Sequence, residues 1–430
     1  TDGVCGSLQP STTGSILLPQ NEKWKSPDPL SGKRSNHTAT LLPSGKVLVA
    51  GGVNASGVLG SSELFDPVTK KWAKSGTMNL PRNLHSATLL LDGTVLVAGG
   101  FRIGTSTGAT ASAEIYYPDP GAWVPTASMN DGRSYHTTAL LPDGNVLAAG
   151  GYDAGGNYLN TSEVYISTGR VWRRVGNLNN ARAQHTLTLL RSGEVLAAGG
   201  LNPTILRQTE SYSPRTGNWT PRADLNTERH SHTAVLLKDG RAMVAGGDDG
   251  FGEIVPAEVY HPESNRWIYT VELPLSIPSG HEVVFPRVKH TMALLPNGKV
   301  MLVGGIQALG VPVPVNDGYY VEYSSWGVQG SLSTGRVHHT TTLLKDGNLL
   351  TVGGFDGLDY LESVESQYFS YIPDDKSPPP SLRQPTLQEI VPSSFTRGAV
   401  ITIKGSNFTG LGEASSGRGS IQSASLPRLV

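Results

Sequence analysis

The sequence predicts an all-β protein in which one four-stranded unit occurs seven times. Three observations support this prediction. Glycine accounts for 52 of the 430 residues, well above the usual share of about 7%, which indicates many tight turns. Charged residues are 16% of the chain, below the usual share of about 25%. Finally, one motif recurs at intervals of about 50 residues, which is typical of repeat architectures.

The repeated motif reads Arg-x-x-His, then Thr or Ser, an apolar run, a turn glycine, a second apolar run and Gly-Gly. Its Arg/His pairs are Arg34/His37, Arg82/His85, Arg133/His136, Arg182/His185, Arg229/His232, Arg287/His290 and Arg336/His339. The glycine pairs begin at Gly51, Gly99, Gly150, Gly199, Gly246, Gly304 and Gly353. The seven copies agree in order and spacing, so the motif is a specific signal.

Each unit is expected to contain four strands, a to d. Strand a starts at the histidine, and a turn leads from it into strand b, which is apolar at every position and therefore buried. Strand c ends in a second turn, and strand d carries a tryptophan. The tryptophans are Trp24, Trp72, Trp123, Trp172, Trp219, Trp267 and Trp326. Trp267 lies ten residues further from its histidine than the others, which places an insertion within residues 268–286.

A four-stranded sheet that repeats about every 50 residues with Gly-Gly and Trp resembles the Kelch repeat. The chain from residue 15 to 373 therefore looks like a Kelch-type seven-bladed β-propeller. Trp24 has no Gly-Gly before it, and the last Gly-Gly is followed by a strand c but by no Trp. We therefore expect the N-terminal segment to supply strand d of the seventh blade, which closes the ring.

The remaining segments suggest three further regions. Residues 1–14 are expected to form a tail, and residues 374–384, which contain three consecutive prolines, a stiff linker. Residues 385–430 look like the first strands of an immunoglobulin-like module. Such a module follows a seven-bladed propeller in the galactose oxidase and glyoxal oxidase group, which the chain resembles. Because about 46 residues are roughly half of a usual sandwich domain, the module is expected to be partial.

Composition also excludes several classes of protein. The net charge of −1 gives no basic field for nucleic acid. No run of about 18 apolar residues is present, so no membrane span is expected. Cys5 is the single cysteine, which rules out an internal disulfide or a cysteine-based metal cluster. The chain begins with Thr1 rather than Met, which suggests a removed leader. We expect a monomer that is secreted, periplasmic or attached to the cell surface.

The strand order places the variable loops on one face of the propeller. The Arg-x-x-His segments, the glycine pairs, the b–c loops and the d–a loops share this side, which we call the loop face. The opposite side carries the short a–b and c–d turns. Functional sites are usually built on loops that a rigid scaffold holds in place. The predicted site is therefore the mouth of the central channel on the loop face.

Seven arginines around the mouth suggest binding of carboxylates or other anions. The alternative is that a residue repeated in every blade solves a structural problem of every blade, such as pairing polar groups of adjacent sheets. Aromatic side chains of the loop face could stack on sugars or fill pockets. Examples are Tyr152, Tyr158, Phe251 and Tyr360. The predicted ligand-binding residues are Arg34, Arg82, Arg133, Arg182, Arg229, Arg287 and Arg336, with Tyr135, Tyr152, Phe251 and Tyr360.

Three histidines outside the repeat precede strand a in consecutive blades, namely His230, His281 and His338. Imidazoles that converge with a carboxylate could act as general acid and base, or could ligate zinc or copper. The alternative is that they are ordinary exposed loop histidines. We predict them as candidate catalytic residues, assign no metal ligand and leave the cofactor open.

The resemblance to galactose oxidase implies a copper ion held by two Tyr and two His, with one Tyr cross-linked to a Cys. That Cys lies near the start of a strand a. Every such position lacks Cys here, and Cys5 lies in the N-terminal tail. Tyr135 could mimic one ligand, but the sequence does not predict this copper site.

Two functions are compatible with these observations, because propellers serve as both binding modules and enzymes. The first is a secreted module whose loop face binds a glycan or an extracellular protein. This is our main prediction, because no recognised catalytic motif is present. The alternative is a carbohydrate-active or metal-dependent enzyme, an oxidase, lyase or hydrolase, whose site lies at the same channel mouth.

Overall fold

The computed structural model describes residues 24–102, 108–250, 252, 257–270, 287–307, 310–321, 324–367, 386–391, 402–406 and 415–416. These residues form strands, turns and irregular loops, with no helix among them, and hence none that could span a membrane. His281, Phe251 and most of the predicted insertion lie outside the described residues.

Seven antiparallel sheets follow one another along the chain. Blade 1 contains β1 (Thr38–Leu41), β2 (Val47–Ala50), the short hairpin β3 (Val53–Asn54) and β4 (Gly57–Val58), β5 (Ser61–Asp66) and β6 (Lys71–Thr77). Blade 2 contains β7 (Ser86–Leu89), β8 (Val95–Ala98), β9 (Ala113–Tyr117) and β10 (Ala122–Thr126). Blade 3 contains β11 (Thr137–Leu140), β12 (Val146–Ala149), β13 (Ser162–Ile166) and β14 (Val171–Arg174).

The next three blades repeat the arrangement. Blade 4 contains β15 (Thr186–Leu189), β16 (Val195–Ala198), the hairpin β17 (Leu201–Asn202) and β18 (Thr204–Ile205), β19 (Thr209–Ser213) and β20 (Asn218–Arg222). Blade 5 contains β21 (Thr233–Leu236), β22 (Ala242–Ala245), β23 (Glu258–His261) and β24 (Arg266–Tyr269). Blade 6 contains β25 (Thr291–Leu294), β26 (Val300–Val303), β27 (Val315–Tyr320) and β28 (Ser325–Ser331). The prediction of a seven-bladed, all-β propeller is confirmed.

Blade 7 joins the two ends of the ring. It contains β29 (Thr340–Leu343), β30 (Leu349–Val352) and β31 (Val364–Gln367). Lys25 pairs with Ser366 of β31 through two reciprocal backbone hydrogen bonds of 2.7 Å. Trp24 packs on the apolar core between blades 6 and 7. A residue from the start of the described chain thus lies where the fourth strand of this blade belongs.

Three short strands follow the propeller. β32 (Thr386–Val391) pairs antiparallel with β33 (Thr402–Ser406). β34 (Ser415–Ser416) pairs with Thr291 and Met292 of β25, the first strand of blade 6. The immunoglobulin-like nature of this region stays a prediction, as do the domain boundaries.

The core lies between adjacent sheets, because the second strand of each blade is buried on both faces. Leu42 and Leu48 of blade 1 pack with Val95, Val97 and Trp123 of blade 2. Burial of one such aliphatic side chain stabilises the fold by about 1.5–3 kcal/mol. Every blade presents apolar side chains to both of its neighbours. Each interface between blades is therefore a packed apolar layer that stabilises the fold.

The glycine pair is required because the backbone passes very close to its neighbours. Gly150 has φ +64°, and a Cβ there would lie 2.3 Å from the carbonyl oxygen of Arg182 in the next blade. A Cβ on Gly151 would lie 2.6 Å from the carbonyl oxygen of Ser134. Both positions therefore combine a left-handed backbone with no room for a side chain.

This geometry predicts the effect of two matched substitutions. Gly156 has φ +81° but no atom within 4 Å of a Cβ built there. Gly156→Ala should lower the free energy of unfolding by about 1–2 kcal/mol, the strain of a left-handed alanine. Gly150→Ala should lower it by about 3 kcal/mol or more, because a steric clash is added. The free energies of unfolding are measured by urea denaturation. If both variants lost the same free energy, the Gly150 backbone would not lie this close to the Arg182 carbonyl of the next blade.

Candidate active site

The repeat arginines are buried inside their blades. Each guanidinium forms an ion pair with a carboxylate on the third strand of its own blade. The pairs are Arg34–Glu63, Arg82–Glu114, Arg133–Glu163, Arg182–Glu210, Arg229–Glu258, Arg287–Asp317 and Arg336–Glu365. All seven arginines are at most 2% exposed.

The arginine of blade 3 illustrates what the ion pair does. Arg133 Nη2 lies 2.8 Å from Glu163 Oε1, and Nη1 donates to the carbonyl of Gly150 at 2.9 Å. Glu163 also accepts a bond of 2.7 Å from the backbone N–H of Asn130, in the d–a loop. Burial lowers the pKa of the Arg133 guanidinium, and the charge of Glu163 opposes this shift. The pair thus ties three segments of one blade together, and the predicted ligand-binding role of the arginines stays a prediction.

The acidic partners were missed by the sequence reasoning, although a signal was present. An Asp or Glu follows every repeat arginine after 28 to 32 residues. A buried arginine needs a paired carboxylate, because an isolated charge in the core is strongly unfavourable. A search for an acidic residue 28 to 32 positions after each repeat arginine would have found all seven.

The repeat histidines connect neighbouring blades. Each Nε2 lies 2.7–3.1 Å from the hydroxyl of the Ser or Thr at the start of the preceding blade's first strand. The pairs are His37–Thr340, His85–Thr38, His136–Ser86, His185–Thr137, His232–Thr186, His290–Thr233 and His339–Thr291. The first pair joins blade 1 to blade 7, so the contacts run around the complete ring.

The residue before each repeat histidine forms a second ring, which we call the mouth ring. Its members are Asn36, Leu84, Tyr135, Gln184, Ser231, Lys289 and His338, all left-handed with φ between +52° and +59°. None is glycine, so each position is strained. Backbone N–H groups of Gln184 and Ser231 donate to the mouth-ring carbonyl of the preceding blade, at 3.2 and 3.1 Å. Strained residues that differ from blade to blade indicate a functional surface.

A tyrosine cluster lies in blade 3 of the mouth. The ring centroid of Tyr152 is 5.7 Å from that of Tyr135, edge to face, and 4.9 Å from that of Tyr158. Burial raises the pKa of the Tyr152 phenol to about 12, and its hydrogen bond with Tyr158 acts in the same direction. Tyr152 therefore remains protonated at neutral pH. The structure brings together Tyr135, Tyr152 and Tyr158, three aromatic residues that the sequence had placed on the loop face.

A chain of side-chain hydrogen bonds runs from this cluster to His230. Gln184 Nε2 donates to Tyr152 Oη at 3.4 Å, and Ser231 Oγ donates to Gln184 Oε1 at 2.6 Å. Ser231 Oγ also lies 3.1 Å from His230 Nδ1. We call Tyr158, Tyr152, Gln184, Ser231 and His230 the mouth chain. It crosses blades 3, 4 and 5 and gives His230 a defined environment.

Two other predicted residues, His338 and Tyr360, lie in blade 7. His338 is the mouth-ring residue of blade 7, and its carbonyl accepts a bond of 3.0 Å from the N–H of Asn36. Tyr360 packs against Phe355 in the loop of the same blade, with ring centroids 5.5 Å apart. The roles of His338, Tyr360, His281 and Phe251 stay predictions.

The described residues do not fit a copper site of the cross-linked Cys–Tyr type. No cysteine occurs near the start of any first strand. The residue just before each first strand is a histidine, whose Nε2 is hydrogen-bonded to a hydroxyl. Within the described ranges, no group of three or more His, Cys, Asp or Glu side chains could hold a metal ion.

Comparison with known proteins establishes the fold. No protein-family model and no curated protein matches the chain. The chain is similar to a solved structure described as a novel fungal alcohol oxidase with catalytic diversity among the AA5 family, in complex with copper. The TM-score is 0.68 at 17% sequence identity, over 93% of this chain and 88% of the other. This likeness confirms the resemblance to galactose oxidase-like propellers.

The same finding corrects the functional prediction. The main prediction, a secreted module that binds a glycan or a partner protein, is wrong, because the structural neighbour is an enzyme. The enzyme alternative is the better supported one. The prediction relied on the lack of a recognised catalytic motif in the sequence, and a site assembled from several blades would leave no local motif.

The buried histidines predict a pH-dependent stability. Burial lowers the pKa of His85 from an ordinary 6.5 to about 3, and those of His290 and His339 likewise. As pH falls below about 6.5, the unfolded chain binds protons that the native state does not, so stability is lost. The free energy of unfolding in urea should therefore decrease from pH 6.5 to 5, and His85→Gln should reduce that slope. A flat profile over this range would contradict the burial of neutral histidines.

Proposed function

We propose that the protein is an enzyme that acts on a hydroxyl group of an alcohol or a carbohydrate at the channel mouth on the loop face. The mouth chain carries this proposal, because it links a half-buried imidazole, that of His230, to a cluster of three tyrosines. The likeness to an alcohol oxidase supports a hydroxyl-bearing substrate. This proposal keeps the alternative function that the sequence suggested, an enzyme at the channel mouth, and assigns its site to the mouth chain.

In this proposal His230 removes the proton from the substrate hydroxyl. Imidazole is the side chain best suited to proton transfer near neutral pH. Its Nδ1 is held by Ser231, so Nε2 is the nitrogen that accepts the proton. The substrate oxygen is left with the electron pair of the broken O–H bond.

The tyrosine cluster orients the carbon skeleton of the substrate. Tyr135, Tyr152 and Tyr158 are all half-buried, so part of each ring faces solvent. Aromatic faces of this kind stack on sugar rings and pack against alkyl groups. Since the Tyr152 phenol is engaged by Gln184 and Tyr158, its ring is held in one orientation.

The electron acceptor that an oxidase needs is left unassigned, and no cofactor is placed in this site. Secretion, carbohydrate binding and a monomeric state also stay predictions that rest on the sequence.

The proposal is tested by measuring turnover without assuming a reaction type. The purified protein is incubated with primary alcohols, polyols and aldoses, with and without added copper or zinc, and substrate loss is followed by NMR. His230→Ala should lower kcat/KM by about 100-fold or more, the usual contribution of a general base. His261→Ala, at the end of β23, should leave it within about twofold. Undiminished turnover by His230→Ala would contradict the proposed site.

A further inference from the structure

We infer that Ser231 and Gln184 are positioning residues that hold the neutral His230 imidazole with its proton on Nδ1 and its lone pair on Nε2. The tautomer is argued from the hydrogen bonds around Ser231, and only its catalytic consequence rests on the proposed function.

The first step concerns the hydroxyl proton of Ser231. The Oγ atom of Ser231 lies 2.6 Å from Gln184 Oε1, a separation typical of an O–H···O hydrogen bond and short for an N–H donor. An amide oxygen can only accept. The single hydroxyl proton of Ser231 is therefore used in this bond.

The second step assigns the donor in the neighbouring bond. Ser231 Oγ lies 3.1 Å from His230 Nδ1. With its proton directed to Gln184, the hydroxyl can only accept from the imidazole. His230 Nδ1 therefore carries a proton, and in the neutral ring the lone pair lies on Nε2.

The next hydrogen bond of the mouth chain runs in the same donor-to-acceptor direction. Gln184 Nε2 donates to Tyr152 Oη at 3.4 Å. The Tyr152 phenol stays protonated, because burial raises its pKa to about 12, and it forms a further hydrogen bond with Tyr158. Donors thus point from His230 through Ser231 and Gln184 to Tyr152. A unidirectional chain strengthens each of its bonds and fixes the orientation of the Gln184 amide.

The backbone holds Ser231 and Gln184 in place before any substrate arrives. Their φ angles are +54° and +55°, and the Ser231 N–H donates to the Gln184 carbonyl at 3.1 Å. The two residues are therefore joined by both main-chain and side-chain hydrogen bonds. Ser231 is only 2% exposed, so water does not compete for its hydroxyl. These hydrogen bonds help to offset the strain of the two left-handed residues, and they fix the position of the Ser231 hydroxyl next to His230.

This arrangement explains how His230 could serve as a base. Nε2 accepts the proton of the substrate hydroxyl, and the ring becomes an imidazolium. The Nδ1–H group already points to the oxygen of Ser231, so no proton has to move there. The bond to Ser231 becomes stronger when the ring is charged.

The tautomer is tested on the full chain labelled with 15N-histidine. Long-range 1H–15N spectra are recorded at a pH where His230 is neutral, and its signals are identified by their loss in His230→Gln. We expect a protonated Nδ1 and an unprotonated Nε2. In Ser231→Ala the tautomer ratio should shift about two- to tenfold towards protonated Nε2, the effect of one lost hydrogen bond. The value of kcat should fall by a similar factor.

A second variant and a control complete the experiment. Gln184→Met keeps the side-chain length but removes the acceptor, so Ser231 can donate to Nδ1 and the same shift is expected. Asn36→Ala changes a mouth-ring residue of equal backbone conformation in blade 1, and should leave the His230 signals unchanged. A wild-type His230 protonated on Nε2 would overturn the inference. The expected spectra combined with full turnover in His230→Ala would instead overturn the proposed function and leave the tautomer standing.

Discussion

The buried ion pair between the repeat arginine and the carboxylate of the third strand is the interaction on which the rest of the structure depends. Two charges in a core are unfavourable unless their geometry is good and their remaining donors and acceptors are satisfied. Arg182 meets this requirement through Glu210 and the carbonyls of Gly199 and Gln208. Glu210 in turn accepts from the backbone of Asn179. In six of the seven blades the described residues show the pair fixing the d–a loop to the glycine pair and the third strand.

The conformation of the mouth ring follows from these anchored segments. The arginine is anchored within its blade, and the histidine three residues later is anchored to the preceding blade. The residue just before the histidine is held in a left-handed conformation. Its side chain has no part in these repeated contacts, so it can differ from blade to blade. The scaffold thus uses the first and last positions of the Arg-x-x-His segment, and the candidate active site uses the positions between them.

The sequence predicted the scaffold well because its determinants are local and repeated. The Arg-x-x-His motif, the glycine pair and the tryptophans each occur seven times, and together they define the number of blades. Individual site residues were harder to find. Tyr135, Tyr152 and His230 were selected for their chemistry and their place in loops, and the structure joins them to one chain of contacts.

Gln184 and Ser231 were not predicted, for physical reasons. Gln184 and Ser231 are 47 residues apart in sequence, yet they share a 2.6 Å hydrogen bond. Glutamine and serine are common in loops, and a left-handed backbone at a non-glycine residue leaves no trace in the sequence. Only the curvature of the ring, which turns consecutive blades towards one axis, brings these side chains together.

The most direct test of the account is a crystal structure of the protein with a bound polyol or alcohol. The account predicts that a ligand hydroxyl lies within hydrogen-bonding distance of His230 Nε2, and that the ligand's carbon atoms contact the Tyr152 ring. The repeat arginines should keep their carboxylate partners in the complex. A ligand bound among the short turns of the opposite face, or a guanidinium turned outwards to hold it, would contradict the separation of scaffold and site.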